Sequence, residues 1–454
     1  MLIQRATLLD GRRVDLRVGA RIVAMDERLS PERGEEVFDA AGGAVVPGLH
    51  DHHVHLRSTA AAQTSARVGP PWTNDPESFA VALRTATPDV DGWIRAVGYH
   101  ESVAGDIDRR ALDAIESRRP MRVQHRSGAL WIVNSPGLGA LGMPDHPDGR
   151  LFRVDTDPGH TLPPVEHRLS RLGATLSGWG VTGVTDATPG QSQADIDALA
   201  AAHHSGELPQ RPHSLAALGV IAVPGVTIGP VKIILDDETL DLDDLTDRAA
   251  RCHRADRGIA VHCVTESQLA VTVAALEAAG HDPRDRIEHG ALIHDDYLDV
   301  LAELGVTVVT QPNFVAERGD AYLRDIPVRD HPMLWRVASL LDRGVRLALS
   351  TDMPFGDGDP WAAMRAAVHR RTVGGEILGP AERISAERAL ALFCGSAQRP
   401  DLARRVEVGQ PGDLCVLTAA PAQALAELAS DMVALTVVGG HATYRFDATS
   451  TDAR

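Results

Sequence analysis

His53 and His55 sit two residues apart, downstream of the apolar run Ala44-Val45-Val46, in the stretch Pro47-Gly48-Leu49-His50-Asp51-His52-His53-Val54-His55. A strand turns successive side chains to opposite faces, so an i, i+2 pair points the same way. Two neutral imidazoles on one face make half of a divalent-metal site. Four histidines within six residues, His50, His52, His53 and His55, would also suit a surface tract that scavenges metal. The rest of the chain decides between the two.

Further candidate ligands stand where apolar runs end. Lys232 lies inside Val231-Lys232-Ile233-Ile234-Leu235-Asp236, His262 ends Ile259-Ala260-Val261-His262-Cys263, His289 ends Ile287-Glu288-His289, and Asp352 ends Leu347-Ala348-Leu349-Ser350-Thr351-Asp352. Each alone has a plain explanation: a satisfied core histidine, an aspartate opening a turn, a lysine reaching solvent along its stem. Together with the HxH pair they form a metal-ligand set, each member at a strand end.

The elements that must position them read as an α/β alternation. Apolar runs of four to seven residues are followed by helix-like stretches rich in Ala, Leu, Arg and Glu. There are more strand candidates than a barrel can use. With 57–163 set aside as an insertion, strands ending near His55, Asp186, Gly219, Asp236, Val264, His289, Gln311 and Asp352 remain. They predict a (β/α)₈ TIM barrel over 47–402 whose active site lies at the C-terminal ends of the strands. An insertion after the first strand would rise from that face and shape the substrate pocket. Both chain ends, 1–46 and 403–454, read as short strands and turns and are expected to build one small β-sandwich-like domain together.

The chain has 454 residues, 44% hydrophobic and 24% charged, as in a soluble globular protein. Its net charge of −17, spread along the sequence, argues against nucleic-acid and anionic-membrane partners. Four scattered cysteines without a CxxC pattern suggest reduced thiols. No signal peptide is read at the start, and no apolar run approaches the ~20 residues that span a bilayer. A cytoplasmic protein acting on a small molecule is expected.

The order HxH, Lys, His, His, Asp on successive strands resembles the amidohydrolase superfamily, with Pro47-Gly48-Leu49 leading into Asp51, His53 and His55 as its most specific mark. Finer features are similar to the branch of N-substituted formamide deformylases and exoenzyme-type hydrolases: Gly180-Val181-Thr182 with Thr185-Asp186, Val261-His262 with Glu266, Ile287-Glu288-His289, Gln311-Pro312, and Ser350-Thr351-Asp352-Met353-Pro354-Phe355-Gly356. One departure stands out. Ala129, in Ser127-Gly128-Ala129-Leu130-Trp131-Ile132-Val133-Asn134-Ser135, takes the place of the branch's histidine.

The resemblance implies two divalent metal ions, zinc by default with Mn, Fe, Co or Ni also suited to such ligands. Lys232, carbamylated by CO₂, would bridge them, with His53, His55 and Asp352 on one ion and His262 and His289 on the other. A metal-activated hydroxide would hydrolyse a non-peptide amide-type C–N bond in an N-substituted amide, a formamide or a cyclic amide. Asp352 would shuttle the proton to the leaving group. Asp51 is expected to orient the histidines. Candidate substrate contacts are Tyr99, His100, Arg126, Trp131, Asn134, Gln311, Asn313 and Phe355, each as readily structural. The resemblance allows a homodimer, dimers being common in the superfamily, and no interface can be read in the sequence.

A mononuclear deaminase of the same superfamily is the main alternative. It needs no lysine carbamate, and its glutamate would follow the fifth-strand histidine by three residues, whereas Glu266 follows His262 by four. An ester or lactone hydrolase would use the same hydroxide. A non-catalytic scaffold fits least, because every ligand position is filled.

Overall fold

The computed structural model describes residues 1–152 and 168–446. The expected boundary at 163 and the tail 447–454 lie outside the described residues. The chain divides into two compact units, 1–55 with 169–454 and 56–168. Among the described residues no helix is long and apolar enough to cross a membrane.

The first unit begins with four strands, β1 (Leu2–Thr7), β2 (Arg13–Val18), β3 (Ile22–Asp26) and β4 (Val37–Asp39), in the order β3-β2-β1-β4. Short β5 (Val45–Pro47) and then β6 (Leu49–Val54) follow. Every residue of β6 is buried, including His50, Asp51, His52 and His53, so this histidine tract is interior rather than a surface scavenger.

The second unit, within which the expected insertion 57–163 falls, has its own five-stranded sheet. Its strands are β7 (Ala66–Arg67), β8 (Ile94–Tyr99), β9 (Met121–His125), β10 (Leu130–Val133) and β11 (Arg150–Phe152). They lie in sequential order, and Phe79, Leu83, Ile94, Tyr99, Leu112, Val123 and Ile132 pack as one core.

The first unit resumes with β12 (Val181–Asp186), β13 (Arg211–Ser214), β14 (Thr227–Ile228), β15 (Val231–Ile234), β16 (Ile259–Cys263), β17 (Arg286–His289), β18 (Thr307–Thr310) and β19 (Arg346–Leu349). These are parallel strands in two sheets, β14-β13-β12-β6 and β15-β16-β17-β18-β19. β15, β16, β18 and β19 are mostly buried and largely apolar, as strands covered on both faces are. The fold is mixed α/β, and the ladders do not close into a ring of paired strands. The third parallel strand stops at Ser214, short of the expected Gly219. The segment beyond it turns instead, and the two-residue β14 is an addition that the sequence did not announce. Gly183 on β12 leaves room for an imidazole, because a Cβ there would collide with His50 Nδ1.

The chain closes with β20 (Leu414–Leu417), β21 (Val433–Val438) and β22 (His441–Arg445), ordered β22-β21-β20-β5. Ile3, Leu16 and Ile22 from the N-terminal sheet share one core with Val45, Leu414, Val416, Leu435 and Val437. Both chain ends thus meet in one hydrophobic cluster.

Candidate metal centre

The first and last parallel strands meet tip to tip. The Asp352 N–H donates to the His53 carbonyl at 3.0 Å, and the His55 N–H donates to the Met353 carbonyl at 3.0 Å. This places the Asp352 Oδ1 at 3.2 Å from His55 Nε2 and 3.6 Å from His53 Nε2. Separations of this size suit ligands that share one ion. Asp352 has φ +57° and His289 has φ +73°. Left-handed backbone at two bulky side chains is the strain that clusters at functional sites.

His289 joins from β17, its ring 4.8 Å from that of His53 and its Nδ1 3.9 Å from Asp352 Oδ2. His262, on β16, lies against His289 with ring centroids 4.4 Å apart. Lys232 on β15 is 6% exposed, and its Nζ has no hydrogen-bond partner among the described residues. Burial pulls its ammonium down to about 8 from 10.5, against the opposing pull of Glu288 and Asp352. An amine near neutrality in an apolar strand is chemically able to react with CO₂.

The imidazoles are poised as ligands. His53 Nδ1 is bonded to Glu288 Oε2, and His289 Nδ1 donates to Gln311 Oε1 at 2.9 Å. An outer acceptor that holds one ring N–H turns the other nitrogen inward with its lone pair. Burial drives both His53 and His289 well below the ordinary histidine range, so they stay neutral. His53 Nε2 and Asp352 Oδ1 are buried without hydrogen-bond partners among the described residues. Ligand atoms of His53, His55 and Asp352 all lie within 4.8 Å of one another, so the residues present fit a cation.

Two supports were not identified from sequence. Glu288, fully buried, is itself gripped by Arg286, whose Nε donates at 2.7 Å and Nη2 at 3.1 Å. The signal was available: two charged residues within a buried strand are costly unless they pair. Asp51 acts through backbone. Its carboxylate accepts from the His53 N–H at 3.3 Å, the Thr351 N–H at 3.1 Å and the Thr351 hydroxyl at 2.5 Å, so it holds the His53 and Asp352 segments together. Burial raises the Asp51 carboxyl to about 7.

The expected substrate contacts divide between the units. In the first, Gln311 holds His289, and its amide donates to Ser350 Oγ at 2.9 Å. Asn313 Nδ2 donates to the Thr351 carbonyl at 3.0 Å. Both act as positioning residues. Phe355 meets the His55 ring edge-on at 5.2 Å and is a wall of the site.

In the unit 56–168, Tyr99 is buried and donates to the Gly105 carbonyl at 2.6 Å. Trp131 is packed with Trp93, Val133 and Leu138. Asn134 corrects its expectation. Its oxygen accepts from Met121 N–H at 2.8 Å and Gly137 N–H at 3.0 Å, and its amide donates to the Glu116 and Arg119 carbonyls at 2.9 Å each. All four positions are used on backbone, so Asn134 is a helix cap and turn clamp. His100 Nδ1 accepts from the Ser102 N–H at 3.2 Å, and the Arg126 N–H donates to the Tyr99 carbonyl at 2.8 Å.

A family model described as "Amidohydrolase family" matches residues 36–444. The N-substituted formamide deformylase of Arthrobacter pascens is 26% identical, over 90% of this chain and 90% of that protein. An uncharacterized metal-dependent hydrolase from Pyrococcus horikoshii OT3 shares the fold with a TM-score of 0.72 at 19% identity, covering 98% of this chain and 99% of its own. A variant of the atrazine chlorohydrolase TrzN from Arthrobacter aurescens TC1, complexed with zinc and atraton, gives 0.58 at 16% identity, over 98% and 95%. This chain therefore belongs to the amidohydrolase family and is a hydrolase acting on carbon–nitrogen bonds.

Proposed function

We propose that this chain hydrolyses a non-peptide amide-type C–N bond, in an N-substituted amide, a formamide or a cyclic amide, at a two-cation centre. The convergence of His53, His55 and Asp352 beside the buried, unpartnered Lys232 carries this reading. The A. pascens relative, a deformylase of N-substituted formamides by name, supports the substrate class.

His53, His55 and Asp352 would hold one cation, zinc by default, and His262 and His289 the second, with a carbamate on Lys232 bridging them. Bound there, the ions supply Lewis acidity, lowering the pKa of water from about 15.7 towards about 7 and polarising the carbonyl. Asp352 then takes the attacking water's proton on a carboxylate oxygen and delivers it to the leaving nitrogen. Glu288 and Gln311 keep the imidazoles of His53 and His289 in the metal-binding tautomer.

The deaminase alternative loses ground to Glu266. That side chain is half exposed and pairs with His294 at 3.2 Å.

A (β/α)₈ barrel is the architecture we read around this centre. Lys232 N–H donates to the Leu215 carbonyl at 3.2 Å, and the Asp352–His53 bond spans the other gap between the two parallel sheets. A composite terminal domain, a homodimer and a cytoplasmic location complete the proposal, and net charge disfavours nucleic-acid partners.

The test is hydrolysis of a panel of N-substituted formamides, cyclic amides and matched esters by zinc-loaded protein. Turnover of amides that chelation abolishes supports the reading. Release of ammonia from an aminated ring, with no amide cleaved, overturns it.

A further inference from the structure

Trp335 sits in the left-handed region at φ +50°, where a large side chain is strained. It is tied to the segment that follows His289, because its N–H donates to the Ala291 carbonyl at 2.9 Å and Leu334 bridges Leu292. Arg370, itself fully buried, clamps the same stretch. Its Nη1 donates to the Trp335 carbonyl, its Nη2 to Leu334 and its Nε to Leu378, each at 2.7 Å. A buried guanidinium spent on three backbone carbonyls is a costly way to hold a loop. It is intelligible if the position of the indole matters.

The indole is 4% exposed, yet its Nε1–H has no hydrogen-bond partner among the described residues. Buried tryptophans normally satisfy that donor. Phe314 lies at 5.0 Å from the ring, and Phe355 belongs to the same apolar cluster while touching His55 at 5.2 Å. The cluster therefore runs from the metal centre to the unpaired indole. Leu292, Tyr322, Leu323, Ile326 and Phe355 are its half-buried members. Asn313 adds a second orphan next to Phe314, since its Oδ1 is buried without a partner while its amide is bonded to Thr351 and Glu317.

We infer that Trp335 is a specificity-determining residue. The aromatic wall Phe355–Phe314–Trp335 takes an apolar or aromatic substituent of the amide substrate, and the indole N–H binds an acceptor atom on that substituent. This rests on the hydrolase reading above and names its substrate class: amides whose ring substituent carries a hydrogen-bond acceptor.

The probes are N-benzylformamide and its three N-(pyridylmethyl)formamide isomers, which walk an acceptor nitrogen around the ring. In the zinc-loaded wild type, one isomer is expected to exceed the benzyl compound in kcat/KM by about 3- to 10-fold. Trp335→Phe keeps the ring and should erase that preference with its melting temperature retained. The indole ¹H–¹⁵N resonance of Trp335, assigned by substituting the other tryptophans, should move downfield with the preferred isomer. No isomer preference and an unmoved indole overturn the inference, as does a preference that survives Trp335→Phe. If Trp335→Phe fails to fold, the indole shift in the wild type decides. If no probe is hydrolysed but the indole shifts, the inference stands and the formamide reading fails. If all are hydrolysed with the indole unmoved, the reverse holds.

Discussion

Asp51 and Thr351 are joined across 300 residues of sequence. The Asp51 carboxylate accepts both the backbone N–H and the hydroxyl of Thr351, at 3.1 and 2.5 Å. This pair clasps the strand that carries His53 to the tip that carries Asp352, so the centre depends on chain closure as well as on its ligands.

Asp51→Ala should loosen that clasp. Two buried donors on Thr351 lose their acceptor, at a cost of about 1–3 kcal/mol each. The expected result is a lower melting temperature together with weaker zinc binding by competition with a chromophoric chelator. Unchanged zinc affinity would remove Asp51 from the positioning of Asp352.

Glu288→Gln tests the outer shell. Losing the carboxylate bonded to His53 Nδ1 should weaken metal affinity by about 10- to 100-fold. Glu288→Ala should do more, since it strands Arg286 without its buried partner and costs about 3–5 kcal/mol. Denaturant unfolding and metal titration separate the two effects.

Lys232 gives a pH dependence whose sign is fixed. Its folded value of about 8 lies below the ordinary 10.5, so the unfolded chain binds more protons between these pH values. In chelated, CO₂-depleted protein, burial of the ammonium therefore destabilises the fold fully below pH 8, by about 3 kcal/mol, and the penalty fades as pH rises to 10.5. Lys232→Met should be the more stable protein at pH 7, with the gap closing above pH 8. A constant gap across that range would contradict the buried-amine account.

Asn134→Ala should destabilise the unit 56–168 without touching the metal. Four backbone groups lose their partner, so a loss of a few kcal/mol, of the order of 1–3 per buried group left unpaired, is expected. Zinc stoichiometry should stay at the wild-type value. A substrate-contact role would instead raise KM with little change in the melting curve.

The ligand set was legible because His262, His289 and Asp352 close apolar runs and Lys232 lies within one, and a strand fixes where a side chain points. His53, His55, His289 and Asp352 meet for that reason. The supports were less legible. Glu288 and Arg286 pair within one strand, but the grip of Glu288 on His53 shows only once β6 and β17 are packed. Thr351 is invisible as a partner of Asp51 until the first and last strands meet. Asn134 misled because an asparagine before Ser-Pro-Gly suits a cap as well as a contact, and only the four backbone groups around it decide. The third strand ended early at Ser214 because the apolar run Leu215-Ala216-Ala217-Leu218 that extended the reading leaves the ladder, Leu215 still bonding to Asp186 and Lys232 but Ala217 turning to Gln191.

The central claim is a two-cation centre bridged through Lys232, and metal stoichiometry tests it most directly. Protein purified without chelator, beside a Lys232→Ala variant, is assayed for divalent ions per chain by elemental analysis. The account predicts about two ions in the wild type and a marked loss in the variant, because the bridging ligand is gone. One ion per chain in both proteins would contradict it.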